Sequence, residues 1–205
     1  MKPLLLPPLL FLPLLLPSPA PEAVSAVRTA SFAGGEPATF SVDPRHSNVF
    51  FRTKHVGVSY FYGRFNRITG ELEYDPDSRE PGSIFVSIES ASVDTNDASR
   101  DKHLRSGDFF SAKEYPAIEF ESTSVAVEGE DLAVTGKLTF HGVTKEVSCT
   151  VRPTGAGEAL GAYRIGFETE LEIDMREFGV SFVKKNPGAV GPEVLLRISL
   201  ECTRN

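Results

Sequence analysis

Apolar and polar residues alternate in short runs along most of the chain from residue 38 onward. A period of two places successive side chains on opposite faces of an extended strand, so each run predicts a strand with one buried face. Leu132, Val134 and Leu138 share one face in this way. At least eight such runs occur, at 39–42, 49–54, 84–88, 117–121, 132–140, 147–151, 165–173 and 194–202.

The segments between these runs are rich in turn-forming residues, as at 74–77 and 128–131. Many short strands without long helices between them are typical of an antiparallel barrel or sandwich, and no parallel crossover is expected. The best helix candidate covers 97–105, with Asn96 as its N-cap and Gly107 at its end. A second short turn is predicted through 174–178.

The first 26 residues have a different character from the rest. Lys2 precedes an uncharged, leucine-rich run at 4–16, and small residues follow it. This order is typical of a secretory signal peptide, and the run is shorter than the roughly 20 apolar residues that a membrane-spanning helix needs. We expect a signal peptide at 1–26, a flexible leader at 27–37, one domain at 38–205, and a periplasmic or secreted location. A retained membrane anchor is the alternative.

Charge and cysteine content restrict the partners and the chemistry. The 28 acidic residues outnumber the 21 basic ones, and the resulting net charge of -7 disfavours nucleic acid as a partner. Cys149 and Cys202 both lie in alternating apolar runs. They are interpreted as small buried hydrophobic residues or, in an exported protein, as a disulfide.

The common catalytic motifs GxSxG, HExxH and CxxC are absent, as is a phosphate-binding glycine loop. His46, His55, His103 and His141 lie in separate segments. They could converge with Asp43 or Asp101 on a metal, or each could brace a turn or line a pocket mouth. Ser47 next to His46 is poorly placed as a nucleophile, because neighbouring strand residues point to opposite faces.

Two features of the sequence each allow two interpretations that bear on binding. Asp101 and His103 in the predicted helix are a polar latch near a ligand head group, or they only cap the helix and form a salt bridge. The chain also has fifteen phenylalanines, five tyrosines and no tryptophan. These aromatic residues indicate either a packed core or a barrel with room for an apolar ligand.

Ordered motifs over nearly all of 39–203 resemble those of the YceI-like family of exported lipid-binding proteins. The most specific of them is GKLTFHGVTK at 136–145. The others lie at 41–47, 54–55, 63–65, 70, 93–95, 100–104, 108–110, 115–120, 122 and 176–179. The resemblance implies a lipocalin-like antiparallel barrel whose elongated apolar interior holds a polyisoprenoid chain, such as the tail of an isoprenoid quinone or a prenyl phosphate. The aromatic segment 60–62 departs from the family pattern and could reshape the pocket.

We therefore expect an exported carrier or storage protein for a polyisoprenoid lipid, without catalytic residues, metal or cofactor. Transient membrane contact and a homodimer are further expectations. An enzyme with its active site in the barrel, and a metal-binding stress protein, are the alternatives. Period-two reasoning places Val49 and Thr53 on the inward face. With the aromatic residues Phe65 and Phe110 added, the predicted ligand-binding residues are Phe51, His55, Phe65, Phe110, Ile118, Phe120, Leu138, Phe140, Phe167, Leu171, Leu196 and Ile198.

Overall fold

The computed structural model describes residues 38–79 and 81–205. The predicted signal peptide and leader lie outside these residues. The strands are β1 (Ala38–Val42), β2 (Asn48–His55), β3 (Ser59–Phe65), β4 (Ile68–Tyr74), β5 (Pro81–Glu89), β6 (Val93–Asp94), β7 (Ala117–Glu128), β8 (Asp131–Phe140), β9 (Val143–Ala159), β10 (Ala162–Asp174) and β11 (Val190–Arg204). The helices are α1 (Ala98–Leu104) and α2 (Ser181–Lys185), with 3-10 turns at Ser90–Ser92 and Met175–Phe178.

A closed antiparallel barrel of eight strands is the main feature of the fold. The strands follow the order β1-β4-β5-β7-β8-β9-β10-β11, and β11 pairs back with β1 to complete the ring. From Val190 to Ser199 β11 pairs instead with β2, and the sheet continues from β2 through β3 to β6. β1 and β2 therefore pair with the same edge of β11 one after the other, and residues 43–47 interrupt the pairing. This architecture confirms the predicted all-β barrel with one or two short helices.

Alternation in the sequence explains the inward face of most strands. In β8, Leu132, Val134, Leu138 and Phe140 are all buried, as the period of two predicts. β3 and β4 have no counterpart among the predicted runs. In β3 three aromatic residues follow one another at 60–62, which removes the contrast between the two faces. In β4 the inward position 70 is a glycine, which interrupts the apolar pattern.

The predicted helix at 97–105 is present, but its predicted ends are wrong. Asp97 is the N-cap, because its carboxylate accepts a hydrogen bond from the backbone N–H of Arg100. Asn96 precedes the helix in a left-handed conformation, and the cap at the other end is Arg105 rather than Gly107. The 3-10 turn at Met175–Phe178 matches the predicted second turn. α2 was not predicted.

Aromatic residues fill the barrel interior at the end where β1 and β4 pair, which we call the closed end. The rings of Phe40 and Tyr163 have centroids 6.3 Å apart, and those of Tyr74 and Phe167 are 5.3 Å apart. α1 and α2 lie at the opposite end, which we call the helix end. Within the described part of the chain, neither helix has the length and apolar character needed to cross a bilayer.

Candidate functional site

Two adjoining cavities occupy the barrel interior between the helix end and the closed end. The larger, at the helix end, has a volume of about 250 Å³, and the smaller, deeper one has about 90 Å³. Ile88, Ile118, Leu138 and Leu196 border both. Because they share this wall, the two cavities together form an elongated site that runs from the helices toward the aromatic residues of the closed end.

Every residue predicted to bind a ligand lies on the wall of this space. Those around the larger cavity are Phe51, His55, Phe65, Phe110, Ile118, Leu138, Phe140 and Leu196. Those around the smaller are Ile118, Phe120, Leu138, Phe167, Leu171, Leu196 and Ile198. Thr53, also placed on the inward face, lines the larger cavity, whereas Val49 is buried and borders neither. Contact of these residues with a ligand stays a prediction.

A network of hydrogen bonds fixes one side of the cavity mouth. The buried carboxylate of Asp101 accepts hydrogen bonds from the backbone N–H of Thr95 at 2.9 Å and from its hydroxyl at 2.5 Å. Arg100 donates from Nε to the Thr95 hydroxyl at 2.9 Å and from Nη2 to the Thr95 carbonyl at 2.7 Å. Its guanidinium lies 4.4 Å from the centre of the Phe61 ring. Asp101 is therefore a brace for the segment that carries Arg100, and it does not face the cavity.

An aromatic cluster covers the other side of the mouth. The ring of His103 meets Phe109 and Phe182 edge-on, with centroids 5.1 and 5.2 Å apart, and Phe109 lies 4.7 Å from Phe182. His103 Nε2 is 3.0 Å from a carboxylate oxygen of Asp108. The backbone N–H of Phe182 donates to the Asp108 carbonyl at 3.2 Å, which ties α2 to the segment after α1.

Several wall residues at the helix end were not predicted from the sequence. Arg100, Leu104 and Phe109 fall within the motifs of the family resemblance. Those motifs did not indicate that their side chains line the cavity. Phe182 gave no signal, because α2 is a single short helix with no capping side chain. Met175 of the 3-10 turn and Val190 and Val194 of β11 join the wall only through tertiary packing.

The four histidines do not converge. His55 and His103 line the cavity mouth, and His141 packs against Tyr115 in a turn. His46 forms a cluster with Asp43 and Glu201 whose potential metal-binding atoms lie within 4.8 Å of one another. In that cluster Arg164 donates to Asp43 at 3.0 Å and also pairs with Glu201. The Arg164 guanidinium is already paired with both carboxylates, so the geometry favours an ion-pair network over a metal site.

The largest pKa displacements lie away from the cavity mouth. Hydrogen bonds from His46 and Arg164 hold the pKa of Asp43 far below its usual range, and the backbone N–H of Arg45 acts in the same direction. Burial raises the pKa of the Cys202 thiol to about 12 and also raises that of Cys149. Both cysteines are free thiols, so the disulfide alternative does not apply to this structure. Cys202 is buried and Cys149 is half-buried, and both behave as small hydrophobic residues.

The site combines an elongated apolar interior with a few polar groups at one opening. His55, Arg100 and His103 are the solvent-exposed residues among those that line the larger cavity. Apolar walls with a few polar groups at the opening are suited to a molecule with a long hydrocarbon part and a polar end. The aromatic residues of the closed end leave the helix end as the side from which such a molecule would enter.

Comparisons with known proteins agree with this description. The family model described as a YceI-like domain matches residues 40–202. Protein YceI of Escherichia coli is 41% identical over 167 residues, which cover 80% of this chain and 86% of that protein. The crystal structure of Burkholderia cenocepacia BcnA is similar with a TM-score of 0.71 and 28% identity, over 78% of this chain and 98% of that one.

A more distant solved structure shares the fold. It is described as a polyisoprenoid binding domain from Saccharophagus degradans implicated in plant cell wall breakdown. Its TM-score is 0.63 at 18% identity, over 82% of this chain and 99% of that chain.

Proposed function

The chain belongs to the YceI-like family, and on that premise we propose that it is an exported carrier or storage protein for a long-chain polyisoprenoid lipid. The tail lies in the barrel interior and the head group lies at the helix end. The observation that carries this proposal is the elongated cavity, whose walls are almost entirely apolar and which opens among the polar side chains of His55, Arg100 and His103.

Hydrocarbon burial supplies the driving force. A prenyl tail is poorly soluble because apolar surface is unfavourable in water. Transfer of about 400 Å² of tail surface at ~25 cal/mol per Å² contributes ~10 kcal/mol before the costs of binding. Lost motion of the tail and of the protein offsets part of this. No bond is made or broken in such a role, so the proposal requires no catalytic group.

The polar groups at the mouth favour a neutral head group. Arg100 directs two of its N–H groups at Thr95, and His103 is paired with Asp108. A diphosphate would have to compete for the N–H donors of Arg100 and His103, which already have protein acceptors. A quinone ring forms few hydrogen bonds and can pack on aromatic side chains. Within the polyisoprenoid class we therefore favour an isoprenoid quinone over a prenyl phosphate.

The direct test is solvent extraction of the untreated purified protein followed by mass spectrometry. We expect a co-purified lipid with a polyisoprenoid tail, and binding of added isoprenoid quinone to protein stripped of that lipid. A protein that carries no such lipid and binds none would contradict the proposal.

A pair of matched variants locates the binding. Phe120→Asp places a carboxylate on the wall of the deeper cavity, and we expect it to weaken quinone binding by at least tenfold, since a charge is costly to bury. Phe85→Asp makes the same change on the outer face, where Phe85 is 41% exposed, and we expect no effect on binding. Equal affinities for the two folded variants would remove Phe120 from the binding site.

A further inference from the structure

Exposed apolar side chains are concentrated on the hairpin formed by β2 and β3. Val58 is 80% exposed, and the others are 43–60% exposed. We call these residues the hairpin patch: Phe50, Val56, Val58, Tyr60 and Tyr62. Single exposed apolar residues are common on soluble proteins, but several on one hairpin indicate a surface that contacts something.

The turn of this hairpin keeps a valine where the backbone disfavours one. The N–H of Val58 donates to the carbonyl of His55 at 3.0 Å, and the two central residues, Val56 and Gly57, have φ of 42° and 71°. Positive φ at both central positions favours Asn-Gly, and a β-branched residue is strained there. Val56 is 52% exposed, so packing of its side chain does not offset that strain within the fold. Such an outlier points to a role outside the folding of the chain.

Positive charge accompanies the hairpin patch. Residues 48–65 contain Arg52, Lys54 and Arg64 and no acidic residue, in a chain whose net charge is -7. Arg64 is paired with Asp94 of β6 at 3.6 Å, so Arg52 and Lys54 supply the positive charge beside the hairpin patch. The charged groups of Arg52 and Lys54 lie 4.5 and 4.6 Å from the centre of the Tyr60 ring. The combination of exposed aromatic rings, aliphatic side chains and cations is the one that binds the interface of an anionic bilayer.

The closed end of the barrel has the opposite charge. Arg79 and Arg204 lie at this end, but carboxylates outnumber them in its turns and strand ends: Asp75, Asp77, Glu128, Glu130, Asp131 and Glu158. Two exposed apolar residues at that end, Val127 and Leu160, are therefore close in sequence to carboxylates. An anionic surface repels this end and attracts the hairpin, which orients the barrel.

The hairpin patch adjoins the cavity mouth. His55 ends β2 and lines the larger cavity, as does Phe61 of β3. The N–H of Val56 donates to the carbonyl of Ala189, the residue before the cavity-lining Val190. A surface that received the hairpin patch would lie directly beside the opening.

We infer that the hairpin patch docks the protein on a lipid bilayer containing anionic head groups, with the cavity mouth facing the bilayer. The purpose of this docking, but not the docking itself, rests on the proposed carrier function. A docked barrel could exchange a polyisoprenoid tail with the bilayer without exposing the tail to water. Val56 and Val58 insert below the head groups, Tyr60 and Tyr62 lie at their level, and Arg52 and Lys54 pair with phosphates.

The test is co-sedimentation of the protein purified from the expressing cells with vesicles of phosphatidylcholine, with or without phosphatidylglycerol. We expect binding to the anionic vesicles. Val58→Ser should weaken vesicle binding about tenfold, because the valine side chain that inserts into the bilayer is lost. Lys54→Gln should weaken it about fivefold on anionic vesicles only. The matched control is Leu160→Ser, an equally exposed apolar residue at the closed end, which we expect to leave binding unchanged.

A further variant separates docking from folding. Val56→Asn relieves the turn and should raise the midpoint of thermal unfolding while it weakens vesicle binding. Vesicle binding that is unchanged in Val58→Ser and Val56→Asn would overturn the inference. Equal losses in Val58→Ser and Leu160→Ser would do the same. The inference would also be overturned if the wild-type protein does not bind the vesicles and instead forms a dimer, or binds a protein partner, through the hairpin.

Quinone binding measured without vesicles distinguishes the two proposals. We expect Val58→Ser to bind quinone as the wild type does, since Val58 does not line the cavities. A wild-type protein that binds anionic vesicles but no quinone would remove the carrier function and leave the docking surface in place.

Discussion

Asp43 lies in the interruption between β1 and β2, where the chain would otherwise leave the barrel wall. Its carboxylate accepts from Arg164 at 3.0 Å and from the backbone N–H of Arg45 at 2.9 Å, and it lies 2.9 Å from His46 Nδ1. Ser47 completes the junction, because its hydroxyl accepts from the backbone N–H of Glu201 at 3.0 Å. This one polar junction connects the interruption to β10 and β11 and makes a structural role the best explanation of the motif at 41–47.

Asp43→Asn should lower the free energy of unfolding by ~2 kcal/mol at neutral pH, since a charged acceptor of several hydrogen bonds is lost. The native pKa of Asp43 lies below its ordinary value of 3.8, so its stabilising effect is present above that pH and is lost as the pH falls through the native pKa. The difference between variant and wild type should therefore shrink below about pH 4. Denaturant titrations over a pH series check this, and a constant difference would contradict it.

Among the elements, the β2–β3 hairpin does two things at once. Its inward residues, Phe51 and Phe61, line the larger cavity, and its outward residues form the hairpin patch. Gly63 allows the two strands to pack this way, because a Cβ at that position would overlap the ring of Phe51 and come within 2.8 Å of the Thr95 methyl group. The glycine therefore sets the position of the Phe51 ring in the cavity wall.

Gly63→Ala should displace the Phe51 ring into the cavity, lower the free energy of unfolding by ~2 kcal/mol and weaken quinone binding. Gly155→Ala in β9 is the matched control, since nothing lies within 4 Å of the Cβ that it would add. Denaturant unfolding and quinone titration measure the two effects. If both alanine variants behave like the wild type, Gly63 does not set the shape of the cavity.

At the scale of the whole molecule, pairing of β1 with β11 closes the ring of strands, and aromatic residues fill the interior at the closed end. The cavity wall comes from strands that are far apart in sequence, so it forms only when the whole barrel has folded. A lipid that binds only the folded barrel must stabilise all of it.

Quinone at a free concentration 100 times its dissociation constant should add ~2.7 kcal/mol to the free energy of unfolding. For a domain of this size the midpoint of thermal unfolding should rise by about 8 °C. Calorimetry of stripped and reloaded protein measures this rise. Phe120→Asp should show a much smaller rise at the same concentration, and an equal rise would place the quinone outside the barrel.

The sequence determined most strands and their inward faces, because the direction of a strand side chain is a local property of the backbone. Alternation placed Phe120, Leu138 and Phe167 on the inner face, and each borders a cavity. The pattern of short strands allowed a barrel or a sandwich, and the resemblance to a family predicted the barrel. The aromatic run at 60–62 hid β3, because residues on both faces are apolar.

Only the tertiary structure decided that the interior is hollow. Emptiness depends on how far apart opposite walls lie after the ring has closed, and no local pattern encodes that distance. The meeting of Arg100, His103 and Phe182 at the mouth likewise results from the docking of two short helices on the barrel. The same holds for the hairpin patch, since Val58 is apolar in the sequence but only the fold leaves it exposed beside the opening.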